Sequence, residues 1–268
     1  MILFNNLTKN TSIFISLCLI LLSFSMPYKV LAAEPNLITF EQALQASQSG
    51  DFLKAIKLWD EILERFPNNA AAFSNRGNVR LALGDPDGAI ADQNMAINLL
   101  PEELDSYLNR GVAEEALNHM QKAEEDYLFV IQREPGNASA LYNLGNLKGS
   151  EGDWLKAANL YEKASLASSS FSIARSSNAL ASYQLGDFSK AESDLRTLIR
   201  RYPMFADARA ALTALLWSKG LLGEAESNWA AASGLDSRYK NEDWLLKIRR
   251  WPPRPTKDLM NFLALKQP

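Results

Sequence analysis

Side chains able to do covalent or acid–base chemistry are scarce in this 268-residue chain, which has one histidine, His119, and one cysteine, Cys18. A lone imidazole with no second His or Cys near it is a weak basis for a metal site or a general base. Cys18 lies in an apolar leader and lacks the preceding small residue that lipid attachment wants. The carboxylates Glu114, Glu115, Glu124, Glu125 and Asp126 cluster around His119 in sequence, but Glu124 and Glu125 open a predicted helix, where negative charge suits the helix dipole. The glycine-rich GNLKGSEG (Gly145–Gly152) has neither the strand–loop–helix setting nor the Lys–Ser/Thr end of a phosphate cradle. The expectation is a non-enzymatic protein without cofactor or metal.

The chemistry that does recur is that of the amide. Residues 74–78 read SNRGN, 108–112 read LNRGV and 142–146 read YNLGN, so Asn75, Asn109 and Asn143 return at a spacing of 34. An amide has both a donor and an acceptor and can grip a peptide bond without reading its side chain. Helical periodicity puts Leu108, Val112, Tyr142, Leu180, Tyr183 and Trp217 on the same side, with Asn78 and Asn146 between them. As a set they suggest a groove for an uncharged to mildly apolar protein or peptide segment. The next residue is Arg in two of the triplets, Arg76 and Arg110, and Leu144 in the third. Sixteen residues further on stand Asp92, Asp126 and Leu160: charge opposite charge, and apolar opposite apolar. Arg76–Asp92 and Arg110–Asp126 are therefore expected as structural pairs rather than ligand groups.

Such a ladder needs a periodic scaffold. Gly50, Gly84, Gly152, Gly186 and Gly220 each stand five residues before an alanine, and Asn118 fills the missing place before Ala123. Pro67, Pro101, Pro135 and Pro203 close four of the units. Each unit reads as two helices, joined where Gly or Asn accepts a left-handed backbone and ended by Pro. Ala43, Gly77, Gly111, Gly145 and Ala179 on first helices let the paired helix approach closely. Six units fit without insertion: 36–69, 70–103, 104–137, 138–171, 172–205 and 206–239.

This pattern closely resembles the tetratricopeptide repeat, whose period is 34 residues. The resemblance implies an all-α, right-handed α-solenoid of six helical hairpins, with first helices lining the concave face and second helices forming the outer wall. It implies a protein-binding scaffold, and some long superhelices of this kind hold a partner through an asparagine ladder. The mode in which Lys and Arg clamp a chain-terminal carboxylate is not expected. Its places hold Phe40, Leu44, Asp105 and Asn109 or, one unit on, Ser74, Asn78, Ser139 and Asn143.

Residues 1–33 differ from the rest: Lys9, an apolar run from Ser12 to Met26, then PYKVLAAEP. This is the pattern of a secretory signal, with cleavage expected after Ala32 or Ala33. The apolar run is short for a spanning helix, so membrane contact is expected only through an uncleaved leader or a membrane-protein partner. The whole chain carries −3; cleavage removes Lys9 and Lys29, leaving 26 basic against 31 acidic residues, or −5. An acidic chain is a poor match for nucleic acid, and a charged share of 22 % with 47 % apolar residues suits a soluble globular protein. The tail, 240–268, reads as a capping helix over NEDWLLKIRR, a stiff link WPPRP, and a short helix capped by Thr256 and carrying Leu259, Met260, Phe262 and Leu263. Leader, repeats and tail together resemble exported tetratricopeptide proteins of cyanobacteria and the chloroplast thylakoid lumen. That resemblance implies a protein of the lumen or periplasm that helps assemble or maintain a thylakoid membrane complex; a monomer is expected. The alternative is a self-associating or cell-envelope scaffold without a peptide ligand.

Overall fold

The computed structural model describes residues 37–265. The expected leader, 1–33, lies outside the described residues. The chain divides into two compact units, Met1–Arg133 and Glu134–Pro268. The fold is all-α and of the solenoid class; no strand occurs among the described residues. No described helix is long and apolar enough to cross a membrane.

Unit 1 holds three hairpins, α1 (Leu37–Ser49) with α2 (Phe52–Arg65), α3 (Ala70–Ala82) with α4 (Pro86–Leu99), and α5 (Leu104–Ala116) with α6 (Met120–Arg133). Each helix packs on the next, and the first helices α3 and α5 also touch. The turns follow from local sequence. Gly50 and Gly84 have φ of 79° and 83°, and Asn118 takes the same left-handed place at 62°. Asp51, Asn69 and Asp85 cap the following helices by accepting from the backbone N–H of Lys54, Ala72 and Gly88. The hairpins close tightly because the first helix offers no side chain at the crossing. A Cβ built on Gly111 would stand 2.6 Å from Tyr127 Cε1. Trp59, Ile62, Leu63 and Val79 form the apolar core around the first hairpin.

Unit 2 repeats the plan with α7 (Ala138–Ser150) and α8 (Trp154–Ala167), α9 (Ser172–Leu185) and α10 (Phe188–Arg201), α11 (Ala206–Ser218) and α12 (Leu222–Leu235). The tail departs from expectation. NEDWLLKIRR does not form a regular α-helix: a 3₁₀ turn at Ser237–Lys240 precedes it, and within it Trp244–Ile248 makes a π-helical turn. The Arg249 N–H donates to the Trp244 carbonyl at 2.8 Å, an i→i−5 bond that widens the coil and turns Arg249 inward. WPPRP is not wholly a link either. The last helix, α13 (Pro253–Ala264), already starts at Pro253, because prolines fit a first turn whose N–H groups lack intrahelical partners. Thr256 is therefore inside the helix rather than capping it, with its Oγ1 donating to the Pro252 carbonyl at 2.9 Å. α13 folds back onto the first helices α9 and α11. Leu259 and Phe262 thereby join Leu195, Leu212, Leu215, Trp229, Tyr239 and Trp251 in the core of unit 2.

Candidate partner-binding faces

The first helices carry every residue of the expected groove, and the two units dispose of them differently. In unit 1 the Arg side chains stitch three helices together. Arg76 Nε and Nη2 donate to Asp92 at 2.9 and 2.7 Å, and Nη1 donates to Asp60 on the preceding second helix at 2.7 Å. Arg110 binds Asp126 through Nε and Nη2 at 2.9 and 2.6 Å and reaches back to Asn94 at 2.7 Å. Asp92 and Asp126 are buried. The Asp92 and Asp126 hydrogen bonds raise the guanidinium pKa of Arg76 and Arg110 respectively, so both arginines stay charged.

The unit 1 amides are buried and engaged. Asn75 Nδ2 donates to the Ala71 carbonyl one turn back at 2.8 Å. Asn78 Oδ1 accepts from Gln93 on the paired helix at 3.1 Å. Asn109 Nδ2 stands 3.5 Å from Ser74 Oγ, tying α5 to α3 at the outer limit of a hydrogen bond. Leu108 and Val112 are core residues, closed to a ligand. Ser74, Asp105 and Glu115, on the same helices, are half-buried and keep some solvent contact. His119 sits in its turn, with Nδ1 2.7 Å from the buried Glu114 carboxylate, a contact that fastens the turn.

In unit 2, Asn146 Oδ1 accepts from Tyr161 at 2.9 Å, and the Tyr142 ring lies between those of Tyr161 and Phe171. Asn143 is 2 % exposed, and both of its amide atoms are buried without a protein partner. Leu180 and Tyr183 lie under the tail rather than lining an open trough, and Trp217 is half-buried against the same core. The Tyr183 hydroxyl is 2.7 Å from Asp258 of α13, and burial pushes its pKa up, so it remains a donor. The Arg254 N–H donates to Gln184 Oε1 at 2.8 Å.

The anchor of the tail is Asp207, in the first turn of α11. Arg249 grips it with two bonds, Nε to Oδ1 at 2.7 Å and Nη2 to Oδ2 at 2.6 Å. Trp251 Nε1 and the Tyr239 hydroxyl donate to Oδ1 at 3.0 and 2.9 Å, and the Ser176 hydroxyl donates to Oδ2. Asp207 is 1 % and Arg249 5 % exposed. Burial pushes the Asp207 carboxyl up, but the Arg249 charge and the bonds from Arg249, Ser176 and Trp251 together hold it below its ordinary value. The segment thus runs from the first turn of α11 at Arg249 to the last turn of α9 at Arg254 and Asp258. From the sequence, helical periodicity places Asp207, like Asp105 and Glu115, as scattered charge on the groove side, with no sign that it is buried. The available signal was an acid on the last first helix followed by the aromatic-flanked cations of RRWPPRP.

The tetratricopeptide repeat family model matches residues 40–103 and 177–237. Human "Tetratricopeptide repeat protein 6" is 31 % identical over 127 residues, 47 % of this chain and 24 % of that protein. "Protein STIP1 homolog" of Dictyostelium discoideum is 31 % identical over 96 residues, 36 % of this chain and 17 % of that protein. The chain thus spans a quarter or less of these relatives. Among solved structures, the APC/C hetero-tetramer Cut9–Hcn1 aligns with a TM-score of 0.67 at 14 % identity, over 84 % of this chain and 42 % of that chain. A tetratricopeptide repeat protein from Parabacteroides merdae aligns with a TM-score of 0.58 at 17 % identity, over 87 % of this chain and all (100 %) of that one. At such identities the likeness concerns the fold.

Proposed function

We propose that this chain, built of tetratricopeptide repeats, is a non-catalytic scaffold that holds a segment of a partner protein against its first helices. One observation carries the reading: the first-helix face of unit 2 already holds a polypeptide segment, residues 249–264 of its own chain, through a buried carboxylate and an apolar floor. A face of this construction can grip an ordinary peptide. The unit 1 counterpart is the site we assign to the partner, with the half-buried Ser74, Asp105 and Glu115 at its polar line. The leader pattern and the tail support an exported location, in the thylakoid lumen or periplasm, and a role in assembling or maintaining a membrane complex.

Photo-crosslinking in native membranes tests the assignment. A photoreactive residue at Ser74, on the first-helix face, is expected to capture a defined partner. The same residue at Leu155, which is 73 % exposed on second helix α8, is expected to capture none. Adducts at Leu155 alone, or at neither position, refute the reading.

A further inference from the structure

The register of the repeat exposes an anomaly at Arg175. The fourth place of successive units holds Thr39, Phe73, Tyr107, Leu141, Arg175 and Arg209. Two of the polar members find a carbonyl six residues earlier: the Tyr107 hydroxyl donates to Pro101 at 3.2 Å and Arg209 Nε donates to Pro203 at 2.8 Å. The fifth unit has Ser169 where those units have proline, and Arg175 does not make the equivalent bond. Its Nε is buried without a partner, and Nη2 reaches only the Ser165 carbonyl at 3.5 Å.

Beside this guanidinium lies a cavity of about 290 Å³ lined by α8, α9 and α10 of unit 2. Arg201, from the last turn of α10, also lines it and has no carboxylate partner among the described residues. Lys190 is already committed, donating to Asp194 and to Asn178 Oδ1, both at 2.8 Å. The remaining carboxylate on the wall is Glu162. Three cations against two carboxylates leave the lining at +1.

We propose that this cavity is an oxyanion site for the carboxylate of an acidic side chain on a partner segment. A guanidinium fork matches a planar carboxylate, which can accept from two of its N–H groups together. The single net positive charge, with Glu162 and Asp194 close by, favours a monoanion over a phosphate dianion. The volume lies just below the roughly 300 Å³ at which pockets begin to hold drug-sized ligands, so it suits one side chain. Filling this place with Leu, as the fourth unit does with Leu141, would make a better-packed protein. Arg175 thus departs from the local rule at a cost in stability, the pattern that marks functional positions. Most of the lining comes from the second helices α8 and α10 of unit 2, and the site does not depend on the groove proposed in unit 1.

The test follows the arginine Nε–Hε NMR signals of the full chain during titration with the blocked peptide acetyl-Glu-Glu-amide, with sodium phosphate, and with sodium chloride at matched ionic strength. The expected result is a saturable shift at Arg175 and Arg201 with the peptide, a weaker one with phosphate and none with chloride. Arg175→Leu is expected to abolish binding at the Arg201 signal and raise the melting temperature. Arg201→Gln is expected to weaken binding several-fold and leave the melting temperature unchanged. An equal response to chloride, saturation by phosphate before peptide, or a lower melting temperature in Arg175→Leu overturns the proposal.

Discussion

Both units spend buried carboxylates on arginine, but with different reach. In unit 1, Asp92 and Asp126 bind arginines 16 residues away and tie the hairpins side to side. In unit 2, Asp207 binds an arginine 42 residues away and ties the tail down over the first helices. The same bidentate bond therefore serves two ends. Used within the period it takes the place of an apolar contact between helices, as Leu144 and Leu160 show by standing where the next Arg–Asp pair would be. Used outside the period it closes a face. One amide stands apart: Asn75, Asn78, Asn109 and Asn146 each have a partner in the protein, whereas Asn143 is buried with none.

Substitutions at three sites, Asp207, Asp92 and Gly111, probe this contrast, in descending order of expected effect. Asp207→Ala leaves Arg249 charged and enclosed, and breaking such a pair costs roughly 3–5 kcal/mol. Chemical denaturation should show that loss, and a change under about 1 kcal/mol would mean the latch carries no strain of burial. The pH dependence has a defined sign. The Asp207 carboxyl is held below its ordinary value in the folded state, so its contribution is complete above about pH 4 and is lost as pH falls toward the folded pKa. Asp207→Asn should flatten that acid limb. Asp92→Ala is the smaller break, because Arg76 keeps Asp60 at 2.7 Å. We expect a loss on the order of 2 kcal/mol, largely recovered when Arg76 is also replaced by Leu. An unchanged melting temperature in the single variant rules the pairing out as a stabilising one. Gly111→Ala asks whether close approach matters as much as charge. The new Cβ meets Tyr127, and overpacking less the gain in helix propensity leaves a net loss of about 1 kcal/mol.

What could be read from the sequence divides along the same line. The hairpins were legible because a 34-residue period overdetermines them: the left-handed turn at Gly84, the close approach at Gly111 and the Asp85 cap all recur in register. The disposition of the groove was not. Helical periodicity says which side Leu108, Leu180 and Tyr183 share, but not whether that side is left open. For Leu180 and Tyr183 the answer lay in α13, which has no periodic counterpart. The tail was also misread locally. NEDWLLKIRR reads as a regular cap helix, yet the chain that brings the guanidinium of Arg249 and the indole of Trp251 to Asp207 makes a π turn. A tertiary contact decided the local backbone there.

Hydrogen exchange read by mass spectrometry, comparing the full chain with its Asp207→Asn variant, tests most directly whether one buried carboxylate closes the first-helix face of unit 2. The account predicts that amides around Leu259–Phe262 and in the last turn of α9 exchange slowly in the wild type and lose protection in the variant, while α3–α6 are unchanged. Equal protection of α13 in both proteins, or fast exchange of α13 in the wild type, would contradict it.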